Sequence, residues 1–224
     1  MAKKCLVIEA HSDDSCIGAG GFLQKLAKTH DLYFILTCVG SVEFVEQGVV
    51  SQNVRELEYR NYVSNFGGCV VDSSFPVPYD SMLDTVPFKQ LVAGFDEAIQ
   101  SIKPDLLIFQ GSSFHQDHAV VHDAVRASLR PTFSFLPAQI MVMENPTYVH
   151  MMGHHQLFEP NFYVCLSREE LSRKLEIFRR CFPSQVRESG NCLSADGITS
   201  WARYRGIEAR TEFAEAFQMY SMII

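Results

Sequence analysis

The fold is decided by the stretch Cys5-Leu6-Val7-Ile8-Glu9-Ala10-His11-Ser12-Asp13-Asp14. Its first half is a nearly continuous apolar run, which is typical of a strand buried on both faces of a sheet. Its second half places one imidazole and two carboxylates directly after that strand. The same order recurs where the apolar run 106–109 precedes the segment His115-Gln116-Asp117-His118. The chain therefore has two clusters of metal-type ligands, each at the end of a predicted strand.

Strand and helix patterns alternate through the first two-thirds of the chain. The predicted strands are Cys5–Glu9, Leu32–Val39, Cys69–Val71 and Asp105–Phe109, and the predicted helices are Gly18–Lys28, Asn53–Phe66, Phe88–Ile102 and His118–Leu129. This alternation predicts an α/β fold, a Rossmann-like three-layer sandwich with a mostly parallel sheet and helices on both faces. Ligands of such sheets bind at the carboxyl ends of the strands, where both polar clusters fall.

The last third of the chain is less regular. It contains predicted strands at Ala138–Met143 and Phe162–Leu166, a helix at Arg168–Phe182 and a partly helical region at Ile198–Phe217. The loop between the two strands carries His150, His154 and His155, which we expect to line or cover the cleft, with a second metal site as the alternative. No repeat or linker divides the chain, so residues 1–224 are predicted to form a single domain.

Composition excludes several classes of function. The 224 residues are 47% hydrophobic and carry a net charge of −7, which disfavours binding to nucleic acid or to an anionic membrane. No apolar run approaches the roughly 20 residues that span a bilayer, and the N-terminal apolar stretch is too short for a signal peptide. Seven cysteines without a CxxC motif indicate reduced thiols. We therefore expect a cytoplasmic protein without a membrane span.

The two polar clusters can together hold one metal ion. Catalytic zinc takes three ligands from His, Asp or Glu and leaves one position for water. His11 and Asp14 are three residues apart on the turn that follows a strand, and His118 near a helix start can supply the third ligand. Each cluster alone has another interpretation, because aspartates at such positions also cap helices and interact with their dipoles.

Three neighbouring residues have the chemistry to hydrolyse an amide or ester beside such an ion. Asp13 can accept the proton of the attacking water. His115 can hydrogen-bond the developing oxyanion or protonate the leaving nitrogen. Asp117 can hold His115 in the required tautomer. The glycines of Gly18-Ala19-Gly20-Gly21 lack the spacing of a dinucleotide fingerprint, and we predict that they let the first helix pack closely.

At these residues the chain resembles the LmbE-like or PIG-L-like zinc-dependent N-deacetylases. The first motif of that family stands here as residues 10–15, followed by the glycine-containing segment 17–21, and the second as residues 115–118 with His122. Weaker similarities lie at Arg55–Glu58, Tyr79–Leu83 and Arg203–Gly206. Ser12 and Gln116 stand in place of prolines, and Ser113 in place of a tyrosine that some members have.

The resemblance implies a hydrolase that removes an N-acetyl or other N-acyl group from an N-acetylglucosamine-type conjugate. It implies a zinc ion, or another divalent metal such as Fe²⁺, held by His11, Asp14 and His118, and it implies substrate contacts by Arg55 and Asp80. The expected partner is a small amino-sugar substrate. An amidase acting on a thiol–sugar conjugate and a non-catalytic sugar-binding protein of the same fold remain alternatives, and homo-oligomerisation remains open.

Overall fold

The computed structural model describes residues 2–44, 48–72, 74–132, 134–147 and 158–224. The predicted histidine loop, with His150, His154 and His155, lies outside the described residues. Within them, the strands are β1 Lys3–Glu9, β2 His30–Leu36, β3 Val42–Phe44, β4 Gly48–Val50, β5 Cys69–Val70, β6 Leu106–Gln110, β7 Gln139–Met143, β8 Phe162–Leu166 and β9 Phe213–Met222. The α-helices are α1 Asp14–Leu26, α2 Gln52–Ser64, α3 Phe88–Ile102, α4 Gln116–Ser128, α5 Arg168–Cys181 and α6 Ala195–Glu208, and Leu83–Thr85 forms a 3₁₀ turn.

Seven of these strands form one sheet in the order β5-β2-β1-β6-β7-β9-β8. The five strands from β5 to β7 are parallel, whereas β9 is antiparallel to both of its neighbours. The chain builds outward from β1 through β2 to β5, and then crosses back to β6 and β7. The order of strands thus reverses between β1 and β6, and the crevice at this reversal is where α/β sheets bind ligands.

The central strand β1 is buried on both faces, as its apolar run predicts. Cys5 and Val7 face one hydrophobic cluster, formed with α1, α2, α5 and α6, and Leu6 and Ile8 face a second cluster with α3 and α4. All four side chains are fully buried. The mostly parallel three-layer α/β architecture is therefore confirmed. Among the described residues, no helix has the length and apolar character needed to cross a bilayer.

Two local predictions were inaccurate, and a third, the partly helical region 198–217, was correct but incomplete. Helix α1 begins at Asp14 and not at Gly18, so the first polar cluster runs directly into the helix. A small antiparallel hairpin, β3–β4, lies in a segment for which no element was predicted. The region predicted to be partly helical holds α6, which ends at Glu208, followed by the start of the long strand β9. The first half of that strand contains Ala214, Glu215 and Ala216, which favour helices locally, but pairing on both sides within the sheet overrides this preference.

Candidate active site

Most of the predicted site residues line one cleft at the carboxyl ends of β1, β6 and β7, whereas Asp117 and His118 are fully buried beside it. The cleft has a volume of about 170 Å³. Its described lining residues are His11, Asp13, Asp14, Ile17, Val42, Arg55, Asp80, Ser81, His115, Asn145, Thr147, Gln185 and Leu193. Parallel neighbours β1 and β6 bring the two polar clusters together, because their carboxyl ends share one edge of the sheet.

The three residues predicted to bind metal converge in this cleft. The Nδ1 atom of His11 lies 3.1 Å from Nε2 of His118. Oδ1 of Asp14 lies 3.4 Å from the same His118 nitrogen, and Oδ2 of Asp14 lies 3.6 Å from Nδ1 of His11. A tetrahedral zinc ion with bonds of about 2.0–2.1 Å would set its ligand atoms roughly 3.3 Å apart. The spacing of these donors therefore fits a divalent metal ion.

Each histidine of this group is held from behind by a polar partner. Nε2 of His11 lies 3.0 Å from the carboxylate of Asp117. That carboxylate also accepts hydrogen bonds from the backbone N–H of Ser81 and of Leu83, at 2.6 and 2.9 Å. A carboxylate can only accept, so Nε2 of His11 carries a proton, and Nδ1 is the nitrogen of this ring that a metal ion could bind. Nδ1 of His118 lies 2.7 Å from the hydroxyl of Ser113, so that Nε2 is directed toward His11 and Asp14.

Asp14 is held in the ionised form. One of its oxygens accepts a hydrogen bond of 2.8 Å from the backbone N–H of His11, and the other accepts one of 2.7 Å from the amide of Asn145. Burial raises the pKa of Asp14, but the charge of His118 and the hydrogen bond with His11 outweigh it and hold the pKa well below its usual range. A buried carboxylate and two imidazole nitrogens thus face one point, where a cation would be stabilised.

Two other groups of donors occur around the same histidine. Ligand atoms of His11, His115 and His118 lie within 4.8 Å of one another, and so do those of His11, Cys38 and Asp117. The second group is on the far side of the His11 ring, where Nε2 already carries the hydrogen bond to Asp117. In the first group, Nδ1 of His115 accepts a hydrogen bond of 3.3 Å from the backbone N–H of Asp117. Nε2 is therefore the nitrogen of His115 that could bind a metal ion.

Asp13 is placed to act on a molecule in the cleft. It is the N-cap residue of α1, yet its side chain makes no capping hydrogen bond. The carboxylate lines the cleft and is 9% exposed. Burial and the neighbouring charge of Asp14 raise the pKa of Asp13 to about 6. The helix-capping interpretation therefore does not describe this carboxylate, which has the basicity of a general base near neutral pH.

His115 also lines the cleft, with its ring 4.5 Å from the ring of His11. Burial and the charges of His11 and His118 lower the pKa of His115 to about 4, so the ring is neutral at physiological pH. It caps α4 by accepting the backbone N–H of Asp117, which places the ring proton on Nε2.

The predicted pairing of Asp117 with the ring of His115 needs correction. The Asp117 carboxylate contacts His11, and only its backbone N–H reaches the ring of His115. The reason is topological, because β1 and β6 are neighbours and bring Nε2 of His11 to the first turn of α4. Asp117 therefore orients a proposed metal ligand.

The predicted substrate contacts Arg55 and Asp80 pair with each other at the cleft wall. Nη1 of Arg55 donates to the carboxylate of Asp80 and, at 2.9 Å, to the backbone carbonyl of Gly40. Its Nε is buried and has no hydrogen-bond partner within the described part of the chain. The pair thus presents a fixed guanidinium beside the proposed metal ligands.

Asn145, which lies just beyond β7, is a site residue that sequence reasoning missed. Its only signal is its position, since it follows a parallel strand that ends at the same edge as β1 and β6. The preceding residue, Glu144, fixes this segment by an ion pair with Arg205 and by accepting a 2.8 Å hydrogen bond from Trp201. Helix α6 thereby helps to place the amide that holds Asp14.

The fold and the site define an α/β protein with a candidate divalent-metal centre at the switch point of its sheet. A family model described as PIG-L, GlcNAc-PI de-N-acetylase, matches residues 6–129, which is more than half of the chain. The protein therefore belongs to this family, and the resemblance noted in the sequence is confirmed. Among curated proteins, none is similar enough in sequence to match.

Solved structures share the whole fold at low sequence identity. The N,N'-diacetylchitobiose deacetylase from Pyrococcus horikoshii is 18% identical, with a TM-score of 0.75 over 97% of this chain and 84% of that one. A deacetylase of the teicoplanin biosynthetic pathway is 15% identical, with a TM-score of 0.75 over 97% of each chain. The 4-carboxy-2-hydroxymuconate hydratase from Pseudomonas putida KT2440 is 16% identical, with a TM-score of 0.70 over 99% of this chain and 98% of that one. At these identities the likeness establishes the fold, which hosts more than one reaction.

Proposed function

We propose that this protein is a metal-dependent hydrolase that removes an N-acetyl group from an N-acetylglucosamine-type sugar conjugate. The observation that carries the proposal is the convergence of His11, Asp14 and His118, with a basic carboxylate beside them in an open cleft. Membership of the de-N-acetylase family supports it. So do the activities of two structural neighbours, a diacetylchitobiose deacetylase and a deacetylase of teicoplanin biosynthesis.

His11, Asp14 and His118 would hold the ion, which we propose to be zinc or another divalent metal such as Fe²⁺. When bound there, the ion would polarise the amide carbonyl and lower the pKa of the attacking water. Asp117 keeps the proton of His11 on Nε2 and so leaves Nδ1 free as a ligand. Asn145 restrains Asp14, and Ser113 restrains His118, each by one hydrogen bond.

Asp13 would accept the proton of water on its carboxylate as the oxygen attacks the acetyl carbon. His115, neutral at physiological pH, would donate a hydrogen bond from Nε2–H to the oxyanion that develops on the former carbonyl. The proton on Asp13 would then pass to the leaving nitrogen as the C–N bond breaks, giving acetate and a free amine. The low pKa of His115 favours hydrogen bonding over full proton donation. Arg55 and Asp80 would contact sugar hydroxyls.

The test combines metal analysis with acetate release from a panel of N-acetylglucosamine conjugates, including thiol-linked ones. Activity should disappear with a chelator and return with zinc. Asp13→Asn should keep the metal and lose about 10²–10⁴-fold in kcat, the usual contribution of a general base. Asp31→Asn, at an exposed position, is the matched control. Unchanged acetate release by metal-loaded Asp13→Asn would contradict the assigned role, and full metal content in a His11→Ala variant would contradict the assigned ligands.

A further inference from the structure

A second groove lies beside the active-site cleft, between helix α6 and the loop that precedes it. It has a volume of about 590 Å³. The helix contributes Asp196, Ser200 and Tyr204, which are spaced four residues apart and so share one face, with Trp201 beside them. The opposite wall is formed by Asn191 and Cys192 of the loop.

The loop wall of this groove is fixed by close packing. A Cβ atom at Gly197 would meet the backbone carbonyl of Asn191 and would lie 2.8 Å from the Cα of Cys192, so only glycine allows this approach. The loop is closed by a hydrogen bond of 3.2 Å from the backbone N–H of Arg187 to the carbonyl of Leu193. These contacts hold the loop in a fixed position against the N-terminal turn of α6, and so fix the shape of the groove.

The groove and the active-site cleft are separated by one residue of backbone. Cys192 lines the groove, and the next residue, Leu193, lines the cleft. Successive Cα atoms are about 3.8 Å apart. The groove and the cleft are therefore neighbouring sites along this short segment.

The lining of the groove suits a ligand rich in hydroxyl groups. Trp201 and Tyr204 place their ring centroids 5.8 Å apart and provide aromatic surface, on which the C–H face of a sugar ring packs. Asp196, Asn191 and Ser200 supply hydrogen-bond acceptors for hydroxyl donors. None of the described lining residues is basic, which disfavours a phosphate or carboxylate.

Arg205 packs against both aromatic residues of the groove. Its Cζ atom lies 5.3 Å from the ring centroid of Trp201 and 5.2 Å from that of Tyr204. The charge of Arg205 is paired with Glu144 and Glu208, so this contact fixes the two rings without adding an unpaired charge to the groove.

We propose that this second groove binds a further sugar ring of the conjugate whose N-acetyl group is removed in the cleft. The inference rests on the proposed deacetylase function and narrows its substrate class to molecules with at least two sugar rings. It assigns a binding role to Tyr204, which is 50% exposed and takes no part in the proposed reaction.

The single tryptophan of the chain makes the groove directly measurable, because Trp201 lines it. Metal-depleted protein is titrated with N-acetylglucosamine and with its β-1,4-linked disaccharide and trisaccharide, while tryptophan fluorescence is recorded. The disaccharide should give a saturable change at a Kd at least tenfold below that of the monosaccharide. Tyr204→Ala should weaken disaccharide binding at least tenfold. Phe88→Ala, a half-exposed aromatic residue on α3, is the matched control and should bind as the wild type does.

A second variant covers the case in which Tyr204→Ala does not fold. Asp196→Asn keeps the shape of the side chain and should weaken disaccharide binding several-fold. No fluorescence change with any of the three sugars, or the same Kd in both groove variants as in the wild type, would overturn the proposal. Because these titrations need neither metal nor turnover, saturable binding without acetate release would count against the deacetylase function alone.

Discussion

At the scale of single residues, Asp117 gives the sharpest test of how the proposed metal ligands are held. Its carboxylate accepts from Nε2 of His11 at 3.0 Å and is completely buried. Asp117→Asn removes the charge that fixes the tautomer of His11, because an amide can also donate to that nitrogen. We expect metal affinity to fall by about 10–100-fold, the usual effect of losing such a partner. Competition with a chelator of known affinity measures the change.

The control for this substitution lies on the same helix. Asp123→Asn makes the same chemical change at a side chain that is 64% exposed, and it should leave metal affinity unchanged. If Asp117→Asn bound metal as tightly as Asp123→Asn does, the hydrogen bond from His11 to Asp117 would have no effect on the affinity of His11 for metal. The backbone hydrogen bonds from Ser81 and Leu83 would then be its main role.

His122 should make stability depend on pH. Its ring is buried between the carbonyl of Gln110 and the hydroxyl of Tyr220, each at 3.2 Å. Burial lowers the pKa of His122 below its ordinary value. As pH falls below about 6.5, the usual pKa of histidine, the unfolded chain therefore takes up a proton that the folded protein resists, and stability is lost. Above that pH the contribution of His122 to stability is complete.

The measurement for His122 compares urea unfolding at pH 7.5 and pH 5.5. Other histidines also titrate in this range, so the informative quantity is the difference between wild type and His122→Gln. The variant should lose less free energy of unfolding on acidification than the wild type. An equal loss in the two proteins would show that the protonation of His122 does not differ between the folded and unfolded states.

At the scale of elements, the glycines of α1 determine how closely this helix approaches the sheet. A Cβ atom at Gly18 would collide with the backbone carbonyl of Glu144, just beyond β7. Gly18→Ala should therefore destabilise the protein by about 1–3 kcal/mol, the usual cost of overpacking. At Gly20 the same atom would lie 3.3 Å from Cγ of Lys174, so a shift of a few tenths of an ångström is enough to accommodate it. Gly20→Ala should be close to neutral, since alanine also favours the helix.

Urea unfolding of the two alanine variants decides between packing and helix propensity. If propensity dominated, both substitutions would stabilise the protein. The clash instead predicts a clear loss of stability for Gly18→Ala and little change for Gly20→Ala, although the two positions are only two residues apart. Because Glu144 precedes Asn145, a backbone shift of Glu144 in Gly18→Ala should also displace the side-chain amide of Asn145 that hydrogen-bonds Asp14.

The elements around the site also show which features a sequence can reveal. Apolar runs followed by polar clusters predicted the convergence of His11, Asp14 and His118, because the ends of neighbouring parallel strands must meet. The partner of Asp117 depends on which strand lies beside β6, and spacing along the chain does not record that. Asn145 carries no pattern of its own. Strand β9 was missed since residues with helical propensity take their conformation from the strands on either side.

At the scale of the whole molecule, the last third of the chain completes the sheet and the hydrophobic core around the segments that carry the proposed metal ligands. Strand β9 extends the sheet beyond β7, and helices α5 and α6 share a hydrophobic cluster with α1 and α2. The Glu144–Arg205 ion pair joins the end of β7 to α6. The family match ends at residue 129, yet the placement of Asn145 and of the second groove depends on elements beyond that residue.

A buried ion pair tests this dependence on the last third. Lys174 of α5 is 3% exposed and donates from Nζ to Glu215 of β9 at 2.7 Å and to the carbonyl of Ile17 at 2.6 Å. Glu215 also accepts from the backbone N–H groups of Gly21 and Phe22, at 2.8 and 2.7 Å. Three elements, α1, α5 and β9, thus meet at one pair of charges.

Lys174→Met should cost about 3–5 kcal/mol in the free energy of unfolding, because it leaves the carboxylate of Glu215 buried without its counter-charge. The matched control is Lys25→Met, which removes an ion pair between Lys25 of α1 and Glu170 of α5 whose side chains are 37% and 21% exposed. That change should cost no more than about 1 kcal/mol. Equal losses in urea unfolding would mean that the two backbone N–H groups alone satisfy Glu215. In that case α1 would be held to the last third of the chain by apolar packing, and the buried charges would contribute only to its register.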